Sequence, residues 1–314
     1  MVKFEWMFYR WAPVRYINAW AKRIMLPGLE GVSLFAVSKF FFKELRDINI
    51  NEKAAAVTYN FIMALPPTFL FLFSLVPYLP VQGIEPTILS TLKLVTPNAE
   101  IYNSVSKVIT DFFHTQRKDL LSFGILMVLY FASNGIMGLM TSFDSSLSLY
   151  KKRNYFSRRW TAIKLTFVLI CVTIASLTVL IIQSKVLNKW LLKLFHTLIA
   201  VKVVSFIILI LLIFVAISII YTYGPSLIHS FKFVSAGSVA ATLASVIATA
   251  VFFFLVNHFL NYDKVYGSIG TLIAFMVWLW INTLIILIGY ELNVSILLGK
   301  ISVEKDEAEH KRVL

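Results

Sequence analysis

The stretch VYGSIGTLIAFMVWLWINTLIILIGYELNVSILLGK, residues 265–300, decides what kind of protein this is. No charged residue falls between Lys264 and Glu291. That run exceeds the roughly 20 apolar residues that carry an α-helix across a bilayer core. Small residues (Gly267, Ser268, Gly270) open it, Trp278 and Trp280 lie within it, and Glu291 closes its first part. A second apolar run then reaches Lys300. The stretch reads as a membrane-crossing strut with a polar collar, residues 290–293, at one end.

The rest of the chain has the same character. Of its 314 residues 59% are hydrophobic, and its mean hydropathy is +0.79. Soluble proteins are about 45–50% apolar, so the excess points to lipid. The expected fold is all-α: a polytopic bundle of six transmembrane helices with amphipathic interfacial helices. The formal charge of +13 is read as topogenic charge and attraction to anionic lipid. The single cysteine, Cys171, excludes an intrachain disulfide and a cysteine-based zinc site. The N-terminus has no short apolar segment followed by a cleavage site, so no signal peptide is expected.

Residues 1–53 are basic and aromatic, with no apolar run long enough to span. Leu34, Val37, Phe41, Leu45 and Ile48 recur at helical spacing, with Lys39, Lys43 and Arg46 among them. Such segments lie in the headgroup layer. Aromatic and basic residues together also suit RNA, but interfacial anchoring explains them more simply, and no nucleic-acid partner is expected. The six spans are placed near 54–79, 120–142, 162–183, 203–223, 234–257 and 266–290. An outward cap covers 80–119, the transmembrane domain covers 54–299, and 300–314 form a charged cytoplasmic tail. Pro66 and Pro67 remove two backbone donors from the first span, so a kink or break is expected there. Residues 151–160, KKRNYFSRRW, read as a dense basic turn. Gly237 and Ala241 in the fifth span, with Gly267 and Gly270 in the sixth, let helices approach closely.

The terminal segments and the 145–164 and 224–233 connections hold most of the Lys and Arg. The positive-inside rule therefore places both chain ends in the cytoplasm and the cap outside.

Few groups offer chemistry. Asp144 and Glu291 are the acids attached directly to span ends. Their bland reading is an ion pair with Arg46, Arg158 or Arg159; their sharper one is a pathway role, since charge at membrane depth is costly. Asn60, Asn134, Asn282 and Asn293, with the Pro66–Pro67 break, are the other candidates for a pathway or gate. Interhelical hydrogen bonding is the commoner use of such residues. Lys39, Lys43, Arg46, Arg158 and Arg159 are the expected contacts for anionic lipid. No metal-ligand spacing, nucleotide-binding loop or nucleophile elbow occurs, so no metal, cofactor or catalytic residue is expected. Hydrolysis of a phosphodiester uses metal-bound carboxylates or a positioned acid–base pair, and neither pattern is present.

Four segments carry a resemblance: AAAVTYNFIMALPPTFLFLFSLVPYL (54–79), SNGIMGLMTSFDSSLSLY (133–150), YTYGP (221–225) and VYGSIGTLIAFMVWLWINTLIILIGYELN (265–293). Together they resemble the YihY/BrkB family of bacterial inner-membrane proteins, some members of which were once labelled ribonuclease BN. The resemblance implies six spans, cytoplasmic ends and the inner membrane. It also implies a transporter linked to envelope lipid export, and treats the ribonuclease label as a misattribution. The expected function is transport of a lipid or small amphipathic solute, with membrane lipids as partners. The alternative is a non-transporting scaffold that recruits an envelope partner. No motif specifies a substrate, a coupling ion or an oligomeric state.

Overall fold

The computed structural model describes residues 28–47, 49–68, 118–144, 150–151, 153–185, 198–227, 231–259 and 268–313, with scattered positions between 86 and 111. The chain is an all-α polytopic membrane protein. Seven helices are named here: α1 (Leu34–Asp47), α2 (Ile50–Met63), α3 (Lys118–Phe143), α4 (Tyr155–Lys185), α5 (Leu198–Tyr223), α6 (Ala236–Phe259) and α7 (Ser268–Val313). Five of them, α3 to α7, are long and apolar enough to cross a bilayer. The second half of the expected first span, most of the 80–119 cap, residues 1–27 and Gly267 lie outside the described residues.

Lipid explains why such sequences are helical. Residues 203–220 of α5 are crowded with Val and Ile, which favour strands in water. In hydrocarbon every backbone N–H and C=O must be satisfied within the segment, and a helix does this without a partner. Among the described residues there is no strand, only an isolated antiparallel bridge between Tyr150 and Leu227.

Helix α2 stops at Met63, capped by Ala64, and a separate helical turn covers 65–68. The interruption falls just before Pro66 because proline disfavours the α conformation in the residue preceding it. Pro66 and Pro67 then sit in the first turn of the next segment, where missing N–H groups leave no bond unmade.

The bundle is a ring of neighbours closed by α7. Helices α3 to α7 pack in sequence order, each on the next. Helix α2 packs on both α3 and α7, and α1 lies against α7. The core is formed where these meet, around Val57, Leu139, Phe143, Ile217, Tyr221, Leu287, Tyr290 and Val294. A smaller cluster of Leu29, Val32, Val37 and Ile296 holds α1 and the preceding turn on α7.

Helix α7 is one uninterrupted element of 46 residues. At 1.5 Å per residue it is about 69 Å long, against a hydrocarbon core of about 30 Å. It passes through Glu291 without a break, and the charged tail is its continuation as far as Val313. The stretch 151–160 is likewise not a turn throughout. Helix α4 begins at Tyr155, and the Asn154 carbonyl accepts the first intrahelical bond from the Arg158 N–H, 3.0 Å. Arg158 and Arg159 therefore stand on a helix, and consecutive positions there face different neighbours.

Candidate functional site

The polar residues converge at one end of the bundle, where α3 and α5 end and α4 and α6 begin. Two arrangements share this basic end: a closed collar and an open groove.

The collar is built from the ends of the apolar runs. The Asp144 carboxylate accepts from Arg158 Nη2 at 2.6 Å, and from the Ser226 N–H and hydroxyl at 3.2 and 2.7 Å. It thereby ties the end of α3 to the start of α4 and the end of α5. Lys151 N–H donates to the Ser226 carbonyl at 2.7 Å, and Arg153 donates to the Gly224 carbonyl at 3.2 Å. The Tyr150 and Tyr290 hydroxyls lie 3.1 Å apart, and the Tyr221 hydroxyl donates to the Ile286 carbonyl at 2.6 Å. Phe143 stacks on Tyr290 with ring centroids 4.0 Å apart.

Glu291 is buried, 4% exposed, one residue beyond Tyr290. Among the described residues no cation pairs with it, whether Arg46, Arg158 or Arg159. Lys53 and Glu44 are the charged groups that act on it through space. The two acids singled out in the sequence thus have different surroundings: Asp144 holds a connection together, and Glu291 is buried with no ion-pair partner among the described residues.

The groove lies over α3, between α2 and α4. Its volume is about 470 Å³, and it is lined by Lys53, Val57 and Asn60 of α2, Asn134, Met137, Gly138, Thr141 and Ser142 of α3, and Tyr155 and Arg159 of α4. Lys53 donates to the Ser142 carbonyl at 3.0 Å. The Arg159 guanidinium donates to Asn134 Oδ1 and to the Tyr130 carbonyl, and lies 4.0 Å from the centroid of the Tyr130 ring. That cation–π contact orients the side chain along the groove.

The structure therefore brings Asn60, Asn134 and Arg159 together and leaves the other candidates apart. Asn293 and Gly237 meet each other at the α6–α7 contact, where Ala241 is also buried. Asn282 donates to the Trp278 carbonyl at 3.0 Å, beside a Trp278 to Thr249 bond that joins α7 to α6. Gly270 is buried in the first turn of α7. Lys39, Lys43 and Arg46 are exposed along α1. Pro66 and Pro67 lie nearly two turns beyond Asn60, outside the groove. Sequence reasoning passed over Lys53, which reads as a mere boundary residue, over Tyr130 and Tyr221, which read as ordinary span aromatics, and over Tyr150, which reads as a connection residue. The adjacency of Lys53 to an apolar run containing Asn60, two turns on, was the available signal. Among the described residues no three potential metal ligands come together.

The collar and groove residues, from Lys53 to Asn293, fall within one family match. The model described as Virulence factor BrkB covers residues 41–313. The chain belongs to the virulence factor BrkB family. Among relatives of this BrkB-family protein, a Bacillus subtilis protein named ribonuclease-like protein YfkH is 27% identical over 77% of this chain and 88% of its own length. UPF0761 membrane protein NTHI0384 of Haemophilus influenzae is 22% identical over 83% of this chain and 95% of its own. UPF0761 membrane protein MS0032 of Mannheimia succiniciproducens is 24% identical over 87% and 91%. No solved structure matches the chain. The BrkB-family assignment makes this a membrane protein, and it brings no catalytic function with it.

Proposed function

We propose that this protein moves a lipid or another amphipathic solute across the bacterial cytoplasmic membrane, with both chain ends in the cytoplasm. One stripe of α3 carries the reading. Phe123, Leu126 and Tyr130 are 58%, 67% and 52% exposed, and Asn134, Met137 and Thr141 continue the same face into the groove. Positions three and four apart lie one above another on a helix. The stripe is therefore apolar toward the middle of the helix and polar at its basic end. An amphiphile has the same order, chains in the hydrocarbon and a headgroup at the boundary. From Asn134 to Ser142 the polar part extends about 12 Å along the axis at 1.5 Å per residue. The orientation follows from the basic residues gathered at this end, which the positive-inside rule assigns to the cytoplasm. Lys39, Lys43 and Arg46 on the exposed side of α1 then contact anionic headgroups.

Purified protein reconstituted in vesicles provides the test. Fluorescent lipid analogues in the inner leaflet should become accessible to an external quencher faster than in protein-free vesicles. Asn134→Leu, which removes the groove's central amide, should slow that movement. Equal rates with and without protein, for every lipid and amphipathic solute tried, would overturn the reading.

A further inference from the structure

We infer that the groove between α2 and α4 is a site for an anionic, phosphate-bearing lipid headgroup, held by Lys53 and Arg159. This rests on the reading of the groove as the place of an amphiphile, and names the headgroup it takes.

Arg153 donates to the Gly224 carbonyl, but three other cations at this end have carboxylate partners: Arg158 has Asp144 at 2.6 Å, and Lys232 and Lys300 have Glu30 at 2.9 and 3.1 Å. Among the described residues the two cations in the groove have none. Lys53 reaches a backbone carbonyl, and Arg159 an amide oxygen, a backbone carbonyl and an aromatic face. These acceptors are neutral. Glu291 acts on Lys53 through space, but among the described residues no ion pair joins them. Among the described residues no acid lines the groove. Two half-buried positive charges thus share one cleft with no ion-pair partner among the described residues.

The donors left over suit a phosphate. An ammonium has three N–H groups and a guanidinium five. One of the former and three of the latter have protein acceptors, the Met137 sulfur included. The Asn60 amide lines the same cleft and has no hydrogen-bond partner among the described residues. Tyr155, in the first turn of α4, also lines the groove, near the positive end of that helix's dipole. Charge-assisted bonds from such a set to phosphate oxygens are about twice as strong as neutral ones. A volume of 470 Å³ lies within the range of small-molecule sites and admits a headgroup without its chains. The chains would follow Tyr130, Leu126 and Phe123.

Detergent-solubilised full-length protein, titrated with phosphatidylglycerol, phosphatidylcholine or glycerol 3-phosphate and followed by native mass spectrometry, tests this. Phosphatidylglycerol should bind roughly tenfold or more tighter than phosphatidylcholine. Lys53→Gln with Arg159→Gln should cut that preference severalfold, to what the exposed cations of α1 contribute. Arg159→Lys, which keeps the charge and loses the fork, should retain part of it, and Lys232→Gln, remote from the groove, should leave it intact. Equal affinity for the two lipids, or a preference unchanged in the double variant, would overturn the inference. Glycerol 3-phosphate binding as tightly as phosphatidylglycerol would overturn the lipid source. If the lipid preference appears and vesicles show no transport, the transport reading fails and the site stands. If transport occurs without headgroup preference, the reverse holds.

Discussion

The Asn293 side-chain oxygen accepts a 2.7 Å hydrogen bond from the Gly237 backbone N–H, and its amide donates to Ser235 Oγ at 2.9 Å. Asn293 is thus a cap supplied in trans: it satisfies a donor in the first turn of α6 that has no partner within its own helix. Gly237 permits this. A Cβ there would run into the Gly289 carbonyl and the Asn293 side chain, and one on Gly289 would come within 2.7 Å of Ala241 Cβ and the Tyr221 hydroxyl. The two glycines set how closely α6 and α7 approach.

Helix propensity alone favours alanine over glycine by about 1 kcal/mol. The contact geometry predicts the opposite sign: Gly237→Ala should destabilise by about 1–3 kcal/mol, as overpacking does. Asn293→Ala should cost about 1–3 kcal/mol, because it leaves a buried N–H unpaired. Thermal unfolding in detergent checks both, and a rise in Tm for Gly237→Ala would contradict the packing. Loss of transport by Asn293→Ala with stability unchanged would instead give Asn293 a pathway role.

Asp144 serves three donors, so its removal should cost more than loss of one ion pair. With the pair 24% and 14% exposed, Asp144→Ala should destabilise by about 2–3 kcal/mol, less than a fully buried pair would. Arg158→Ala should cost less, since the Ser226 bonds to Asp144 survive it. The double variant should be less damaging than the sum of the two, and a double-mutant cycle reads that coupling. Strict additivity would mean that the pair contributes nothing.

Glu30 attaches the turn before α1 to Lys232 and to Lys300 of α7. Hydrogen bonds from Lys232 and then Lys300 hold its carboxyl below the ordinary value of 4.5. A depressed folded pKa means the attachment is fully present above 4.5 and is lost as pH falls through the folded value. Because the lysines are solvent-exposed, the effect should be under about 1 kcal/mol and screened by salt. Protease cleavage near residues 28–31 should be faster for Glu30→Gln than for the parent at pH 7, and equal in both at a pH well below 4.5. A constant difference across pH would show that the carboxylate charge is not what holds the turn.

The proposed orientation is checked by labelling. In a Cys171→Ser background, which removes an exposed native thiol, a cysteine at Lys151 should resist an impermeant reagent in intact cells and react after lysis. A cysteine at Glu85, in the expected cap, should react from outside. The converse pattern would invert the protein and put the groove at the outer face.

How much of this was legible depends on the kind of signal. Apolar runs show where helices cross, because in lipid the backbone has no other way to satisfy itself. The Pro66–Pro67 pair shows where a helix is interrupted. The length of α7 was less legible: Glu291 looks like an end, yet a buried acid does not stop a helix when no proline or left-handed residue follows. The basic stretch 151–160 looked like a turn because charge density resembles a loop; the helical phase that sends Arg158 to Asp144 and Arg159 to Asn134 is set by those two partners.

The sequence by itself determined the all-α membrane class and the family. These follow from composition and local order, and no contact between distant residues is needed to read them. Only the tertiary structure decided which polar residues share a place. Asn60, Asn134 and Arg159 line one groove, together with a Lys53 that local pattern did not single out. Asn293 instead turns to Gly237, 56 residues away. Apolar spans can pack in many orders and rotations with nearly equal hydrophobic gain, because lipid is as apolar as they are. Close glycine contacts, caps and ion pairs between helices select one of them, and these pairings appear only when the chain is folded.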